Sequence, residues 1–171
     1  MNNIILIGFM GSGKTSIGTL LARKLSYDFM DTDQLIEKRA GKSIKEIFAL
    51  DGEEHFRKME TDEILSMQDY LQHTVLSVGG GLPIRTGNAE ILRKLGTVVF
   101  LKAHIDTLKA RLAGDTKRPL LSGEEWDKKV TLLLQSREPV YENAAHLIIT
   151  TDSKCFEEIL DEILEKIVEP I

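Results

Sequence analysis

The chain has 171 residues, 42% hydrophobic and 29% charged, and no linker rich in Pro, Gly or Ser, so one domain spanning 1–171 with a proper core is expected. A net charge of −5 without a basic stripe excludes a nucleic-acid backbone as partner and points to a small molecule. The single cysteine, Cys155, can form neither an internal disulfide nor a cysteine metal site, and the Met-Asn-Asn start with its short apolar run resembles neither an export signal nor a membrane span, so a cytoplasmic protein is expected.

The first element expected is a buried strand over Ile4–Ile7. It runs into Gly8-Phe9-Met10-Gly11-Ser12-Gly13-Lys14-Thr15, which is G-x-x-x-x-G-K-[ST], and then into a helix to Leu25 with Ile17, Leu20, Leu21 and Leu25 on one face. Strand, glycine-rich turn and helix are the context a phosphate-binding P-loop requires. The glycines permit positive φ and let backbone N–H groups turn inward at a helix N-terminus, where the dipole also favours an anion. Lys14 is positioned to reach the β- and γ-phosphates of a nucleotide, and Thr15 to put its hydroxyl on Mg²⁺.

A second strand over Tyr27–Met30 leads into Asp31-Thr32-Asp33, carboxylates at the carboxyl end of a strand, where ligands bind in open α/β sheets. Alternation puts Asp31 and Asp33 on one side if the strand persists, one toward the metal and one toward a second substrate; in the plainer reading one of them caps the following helix, Gln34–Arg39. The strands at Val75–Val78 and Thr97–Leu101 lack the terminal aspartate usual in ATPases and switch GTPases, and Asn-Lys-x-Asp is absent. A motor or a guanine-specific switch is therefore disfavoured.

From Ser43 to Tyr70 the chain is polar and helical, broken by an Asp51-Gly52 turn, and reads as a substrate-side insertion. Arg57 and Glu60 lie three apart in it, either a weak surface pair or a glutamate that aims an arginine at an anion. The strand at Val75–Val78 ends in Gly79-Gly80-Gly81, either a tight turn or a place where a ligand accepts from the Gly80 and Gly81 N–H groups.

Helices at Ala89–Leu95 and Ile105–Leu112 around the strand at Thr97–Leu101 keep the alternation of a parallel, doubly wound sheet. Gly114–Gly123, with Lys117-Arg118-Pro119 at its centre, has the profile of a flap that delivers cations over a phosphate. A helix over Glu125–Glu138 is expected to stop before Pro139, leaving Arg137 at its end. After a fifth strand, Leu147–Thr150, Asp152 or Ser153 is expected to cap a last helix that buries Phe156, Ile159, Leu160, Ile163, Leu164 and Ile167. The four histidines show no metal-ligand spacing.

Together, Gly8–Thr15, Asp31-Thr32-Asp33, Phe56-Arg57, Gly79-Gly80-Gly81, Arg118-Pro119-Leu120-Leu121 and Arg137-Glu138-Pro139-Val140-Tyr141 stand in the order and spacing of the shikimate kinases, a resemblance that covers essentially the whole chain. It implies a three-layer α/β/α fold of the nucleoside monophosphate kinase type, with a five-stranded parallel sheet, a helical substrate-binding region at about 32–71 and a lid at about 113–124. It also implies transfer of the γ-phosphoryl group of ATP to the 3-hydroxyl of shikimate, on the route to chorismate and aromatic amino acids, by a monomer that uses Mg²⁺.

In such a member Gly11, Ser12, Gly13, Lys14, Thr15 and Ser16 would hold the ATP phosphates, Arg111 would stack on adenine, and Lys14 and Arg118 would stabilise the transferring phosphoryl group. Thr15, and Asp31 through water, would hold Mg²⁺. Asp33 would bond the shikimate hydroxyls and accept the proton. Arg57, oriented by Glu60, would clamp the substrate carboxylate with Arg137 and Gly79, Gly80 and Gly81, while Phe48, Phe56 and Pro119 would line the ring pocket. One departure is the stretch Asp152-Ser153-Lys154-Cys155-Phe156, which lacks the proline that many relatives set against adenine. Another small-molecule kinase of this fold, for gluconate or a nucleotide, is the competing reading, and the paired arginines tip the balance against it.

Overall fold

The computed structural model describes residues 3–113 and 125–168. Five parallel strands form one sheet in the order β2-β3-β1-β4-β5: β1 (Asn3–Ile7), β2 (Asp28–Asp31), β3 (Thr74–Ser77), β4 (Gly96–Lys102) and β5 (Leu147–Thr150). The chain leaves β1 for the β2 edge, returns through β3, then crosses β1 to lay down β4 and β5. The reversal falls at the carboxyl end of β1, the position where a crevice opens in such sheets.

Ile4, Ile5, Leu6 and Ile7 are all fully buried because both faces of β1 are covered. Ile4 and Leu6 face one core with Ile17 and Leu21 of α1 (Lys14–Leu25) and Ile159, Leu160 and Ile163 of α8 (Phe156–Val168). Ile5 and Ile7 face the other, with α5 (Asn88–Leu95), α6 (Ile105–Leu112) and α7 (Trp126–Ala144). This is the three-layer arrangement expected. Between β2 and β3 lie α2 (Thr32–Ala40), α3 (Ile44–Leu50) and α4 (Glu53–Ser66), which close a small core of their own around Ile36, Ile47 and Phe56.

Three local expectations are corrected. The helix carrying Arg137 does not end at Pro139 but continues to Ala144. A proline inside a helix forgoes one hydrogen bond and crowds the carbonyl four residues back, a cost of about 3 kcal/mol. Here the turn beyond it buries Tyr141 and Ala144 almost completely, and Arg93 of α5 donates to the terminal carbonyls of Asn143 and Ala144 at 2.8 and 3.0 Å. Neither Asp152 nor Ser153 caps α8. The Asp152 carboxylate accepts from the His104 N–H at 3.0 Å, and Glu158 instead takes the Cys155 N–H at 2.7 Å. Phe156 is half exposed rather than buried, so the apolar stripe of α8 begins at Ile159.

Candidate active site

Gly13, at φ 93° and ψ 15°, starts α1 in a left-handed conformation, and Gly11, at φ 79°, makes the turn before it. No side chain caps α1 and no acidic residue stands in its first turn. The orphan N–H groups of a helix start are thus left for an anion, with the dipole in support. Lys14 Nζ donates to the carbonyls of Gly8 and Phe9 at 2.9 and 3.0 Å, which folds the ammonium over its own loop.

The P-loop opens into a cavity of about 220 Å³ lined by Gly11, Gly13, Lys14, Thr15, Ser16, Asp31, Asp33 and the stretch Ser77–Gly80. Asp31 caps the helix that follows it and also reaches the P-loop. Its Oδ1 accepts the Asp33 N–H at 3.0 Å and caps α2, while its Oδ2 receives the Thr15 hydroxyl at 3.3 Å. The strand does not persist to Asp33 as strict alternation requires: α2 begins at Thr32, and the turn of helix swings the Asp33 carboxylate onto Gly79. The two carboxylates therefore divide, one toward the P-loop threonine and one toward the glycine turn.

That turn explains its three glycines. None of them has a positive φ; Gly79 and Gly81 are passed closely by side chains, and Gly80 by the Gly8 carbonyl. A methyl on Gly79 would lie 2.7 Å from Asp33 Oδ1 and 2.8 Å from Glu60 Oε1, and one on Gly81 would lie 2.6 Å from Arg57 Cζ. A methyl on Gly80 would lie 3.3 Å from the Gly8 carbonyl oxygen and in ordinary contact with Tyr141 Oη at 3.5 Å and Arg137 Nη1 at 3.7 Å. The substrate-side residues expected from sequence thus converge on one backbone turn beside the P-loop.

Arg57 and Glu60 are not a surface pair. The Glu60 side chain is 1% exposed and accepts from Arg57 Nη1 at 2.8 Å, while Arg57 Nη2 reaches Glu53 at 3.1 Å. Burial works to lower the Arg57 pKa, but Glu60 and Glu53 outweigh it and hold the guanidinium above its ordinary value. Burial pushes the Glu60 carboxyl up to about 7, with Arg57 opposing and Asp33 reinforcing the rise. The rings of Phe48 and Phe56 lie 5.9 and 5.4 Å from the Arg57 guanidinium carbon and fix its plane. Arg137 projects from the middle of α7, 8% exposed.

Two contributors escaped the sequence. Thr32 Oγ1, fully buried, accepts the Gly79 N–H at 3.0 Å, and Tyr141 Oη donates to the Gly80 carbonyl at 2.5 Å. Thr32 lay hidden between two more conspicuous aspartates. Tyr141 stands one helical turn after Arg137, a spacing that carries meaning only once the helix is known to pass Pro139. On the nucleotide side Arg111 Nη1 donates to the Gly11 carbonyl at 3.1 Å. Asp152 lies nearby: burial works against its ionisation, but Thr107, the His104 N–H and Arg111 outweigh it and hold the carboxyl below its ordinary range. Arg118 and Pro119 lie outside the described residues.

A parallel sheet of this order, a P-loop where the strand order reverses and a second pocket wall carrying carboxylate and guanidinium groups define a P-loop kinase acting on a small molecule. A family model described as shikimate kinase matches residues 10–168. The shikimate kinase of Symbiobacterium thermophilum is 43% identical over 169 residues, covering 98% of this chain and 97% of its own length. That of Chlorobium chlorochromatii is 45% identical over 174 residues, covering 96% and 90%. The solved shikimate kinase from Acinetobacter baumannii in complex with shikimate superposes with a TM-score of 0.93 at 36% identity, over 98% of this chain and 93% of its own. The chain belongs to the shikimate kinase family, and is an ATP-dependent phosphotransferase. No helix among the described residues is long and apolar enough to cross a membrane.

Proposed function

We infer that the chain transfers the γ-phosphoryl group of ATP to the 3-hydroxyl of shikimate, giving shikimate 3-phosphate and ADP. The observation that carries this reading is the meeting of Asp33, Glu60, Arg57 and Arg137 on Gly79–Gly81, next to an uncapped P-loop helix. The shikimate complex of the Acinetobacter baumannii relative supports the same acceptor.

Phosphoryl transfer needs alignment and charge compensation more than covalent help. The N–H groups from Gly11 to Ser16 receive the ATP phosphates, and Lys14 leaves its loop carbonyls for the β- and γ-phosphates. Arg111 packs against adenine. Arg57 and Arg137 take the shikimate carboxylate with their planar forks, backed by the Gly80 and Gly81 N–H groups. Asp33 accepts the proton of the 3-hydroxyl as its oxygen bonds to the γ-phosphorus and the bond to the ADP oxygen breaks. Arg118 joins Lys14 in compensating the charge on the transferring group.

Thr15 Oγ1 and Asp31 Oδ2, 3.3 Å apart at the cavity wall, are hard oxygen donors that suit Mg²⁺. Among the described residues no group of three or more His, Cys, Asp or Glu side chains could cage a metal alone, which fits an ion held partly by phosphate and water. Held by Thr15 and Asp31, such an ion would supply charge that offsets that of the triphosphate.

The test is coupled ADP release with shikimate, gluconate and nucleoside monophosphates offered in turn, then with shikimate on Asp33→Asn. Turnover should require shikimate, and Asp33→Asn should lower kcat by about 10²–10⁴-fold while ATP binding survives. Turnover of gluconate in preference to shikimate, or full activity in the variant, would refute the assignment.

A further inference from the structure

We propose that Tyr141 is a positioning residue of the substrate site: its buried hydroxyl, bonded to the Gly80 carbonyl and set beside the Arg137 guanidinium, holds arginine and glycine turn in the arrangement that grips a carboxylate. The proposal rests on the reading of Arg137 and Gly80 given above.

Tyr141 is fully buried, and its ring lies 5.2 Å from Phe100 at 44°, so the phenol has no freedom to wander. Its Oη donates to Gly80 O at 2.5 Å. The Arg137 guanidinium, four residues earlier on the same face of α7, stands beside the same oxygen, both groups lying against Gly80. Burial pushes the phenol up to about 12 against the pull of Arg137 and Arg57, so it keeps the proton it donates.

Geometry makes this bond more than packing. The Gly80 carbonyl and the Gly81 N–H belong to one peptide plane, and every peptide bond described is trans, so they point in opposite directions. Drawing the carbonyl toward Tyr141 turns the Gly81 N–H the other way. Among the described residues no group accepts from that N–H, so it is available to a ligand. One hydroxyl thereby sets the direction of a main-chain N–H and lies against a guanidinium. It also explains why α7 continues past Pro139: the extra turn is what brings Tyr141 to the glycines.

Tyr141→Phe removes the hydroxyl and keeps the ring against Phe100. KM for shikimate should rise about tenfold, while kcat and KM for ATP stay within about twofold. General loosening would instead move both KM values along with the melting temperature. Because the two side chains act as a unit, Tyr141→Phe should add less than about twofold in an Arg137→Lys background. Arg137→Lys alone tests the underlying reading: an unchanged KM for shikimate there removes the carboxylate clamp itself. If that variant responds but Tyr141→Phe does not, the clamp stands and the positioning role falls.

A measurement on the unaltered protein guards against a variant that fails to fold. The chain has three tyrosines, Tyr27, Tyr70 and Tyr141, and with ¹³C at Cζ their resonances report hydrogen bonding at the hydroxyl. Substitution of Tyr27 and Tyr70 by Phe assigns the third signal. Shikimate should move the Tyr141 resonance and leave the other two in place; a stationary Tyr141 signal at saturating shikimate overturns the proposal.

Discussion

Glu60→Gln removes a buried charge whose cost can be read as a dependence of stability on pH. The Glu60 side chain is 1% exposed, and the charged or titratable groups that face it are Arg57 on its own helix, Asp33 on α2, and Arg137 and Tyr141 on α7. Burial carries its pKa from an ordinary 4.5 to about 7. A carboxyl whose pKa is raised on folding holds its proton more tightly in the native state. Its contribution to stability is therefore complete below pH 4.5 and is lost as the pH climbs through about 7. That interval corresponds to about 3 kcal/mol, of which about 2 kcal/mol disappears between about pH 5.5 and pH 8.5. At about 2–4 °C per kcal/mol for a domain of this size, Glu60 alone should lower the melting temperature by about 4–8 °C across that range. Glutamine has nothing to titrate, so the difference between wild-type and variant melting curves, taken at constant ionic strength, isolates the group from the histidines. The gap should close or invert toward alkaline pH, where the wild-type protein carries the buried charge. Two curves that run parallel from about pH 5.5 to pH 8.5 would refute the reasoning.

Gly81→Ala should leave the fold nearly intact yet damage the site. The new methyl would meet the Arg57 guanidinium, the far end of a long side chain, which can move aside only by shifting from Glu60 and Glu53 and so loses its place over the turn. KM for shikimate should rise about tenfold or more, with KM for ATP little changed; equal KM values for both proteins would show that Arg57 is not held where substrate needs it. Gly18→Ala should do the reverse. Its methyl would press on the Phe29 ring at 2.6 Å and Leu6 Cδ1 at 3.1 Å, rigid neighbours between α1 and the sheet. A loss of about 1–3 kcal/mol in urea unfolding is expected, with KM for both substrates near the wild-type values, and a neutral or stabilising effect contradicts it.

Much of the molecule is written in short stretches whose meaning does not depend on the rest. The P-loop is one, because its glycines, lysine and threonine act through backbone geometry set within eight residues. The order of strands and helices is another, since β1 carries an unbroken apolar run and α8 a helical period in their own side chains. Tertiary structure decided whatever depends on which elements become neighbours. The proline rule at 139 is sound for an isolated helix, but it yields where the next turn buries Tyr141 against Phe100 and Arg93 supplies the missing partners at the helix end. Arg57 and Glu60 show only a helical spacing until β3 brings its glycine turn beneath them and removes the water.

The three glycines mark the division most clearly. Their cost to the chain is visible in the sequence as an anomaly that needs a cause. For Gly79 and Gly81 the cause lies in side chains 19 to 46 residues away, Asp33, Glu60 and Arg57, and for Gly80 in the Gly8 carbonyl, all brought close by the sheet order and not by any local signal. Residue types and their spacing determined what chemistry the chain can hold. The packing of α2, α4 and α7 around β3 determined which groups meet, because burial and hydrogen-bond geometry are properties of neighbours in space.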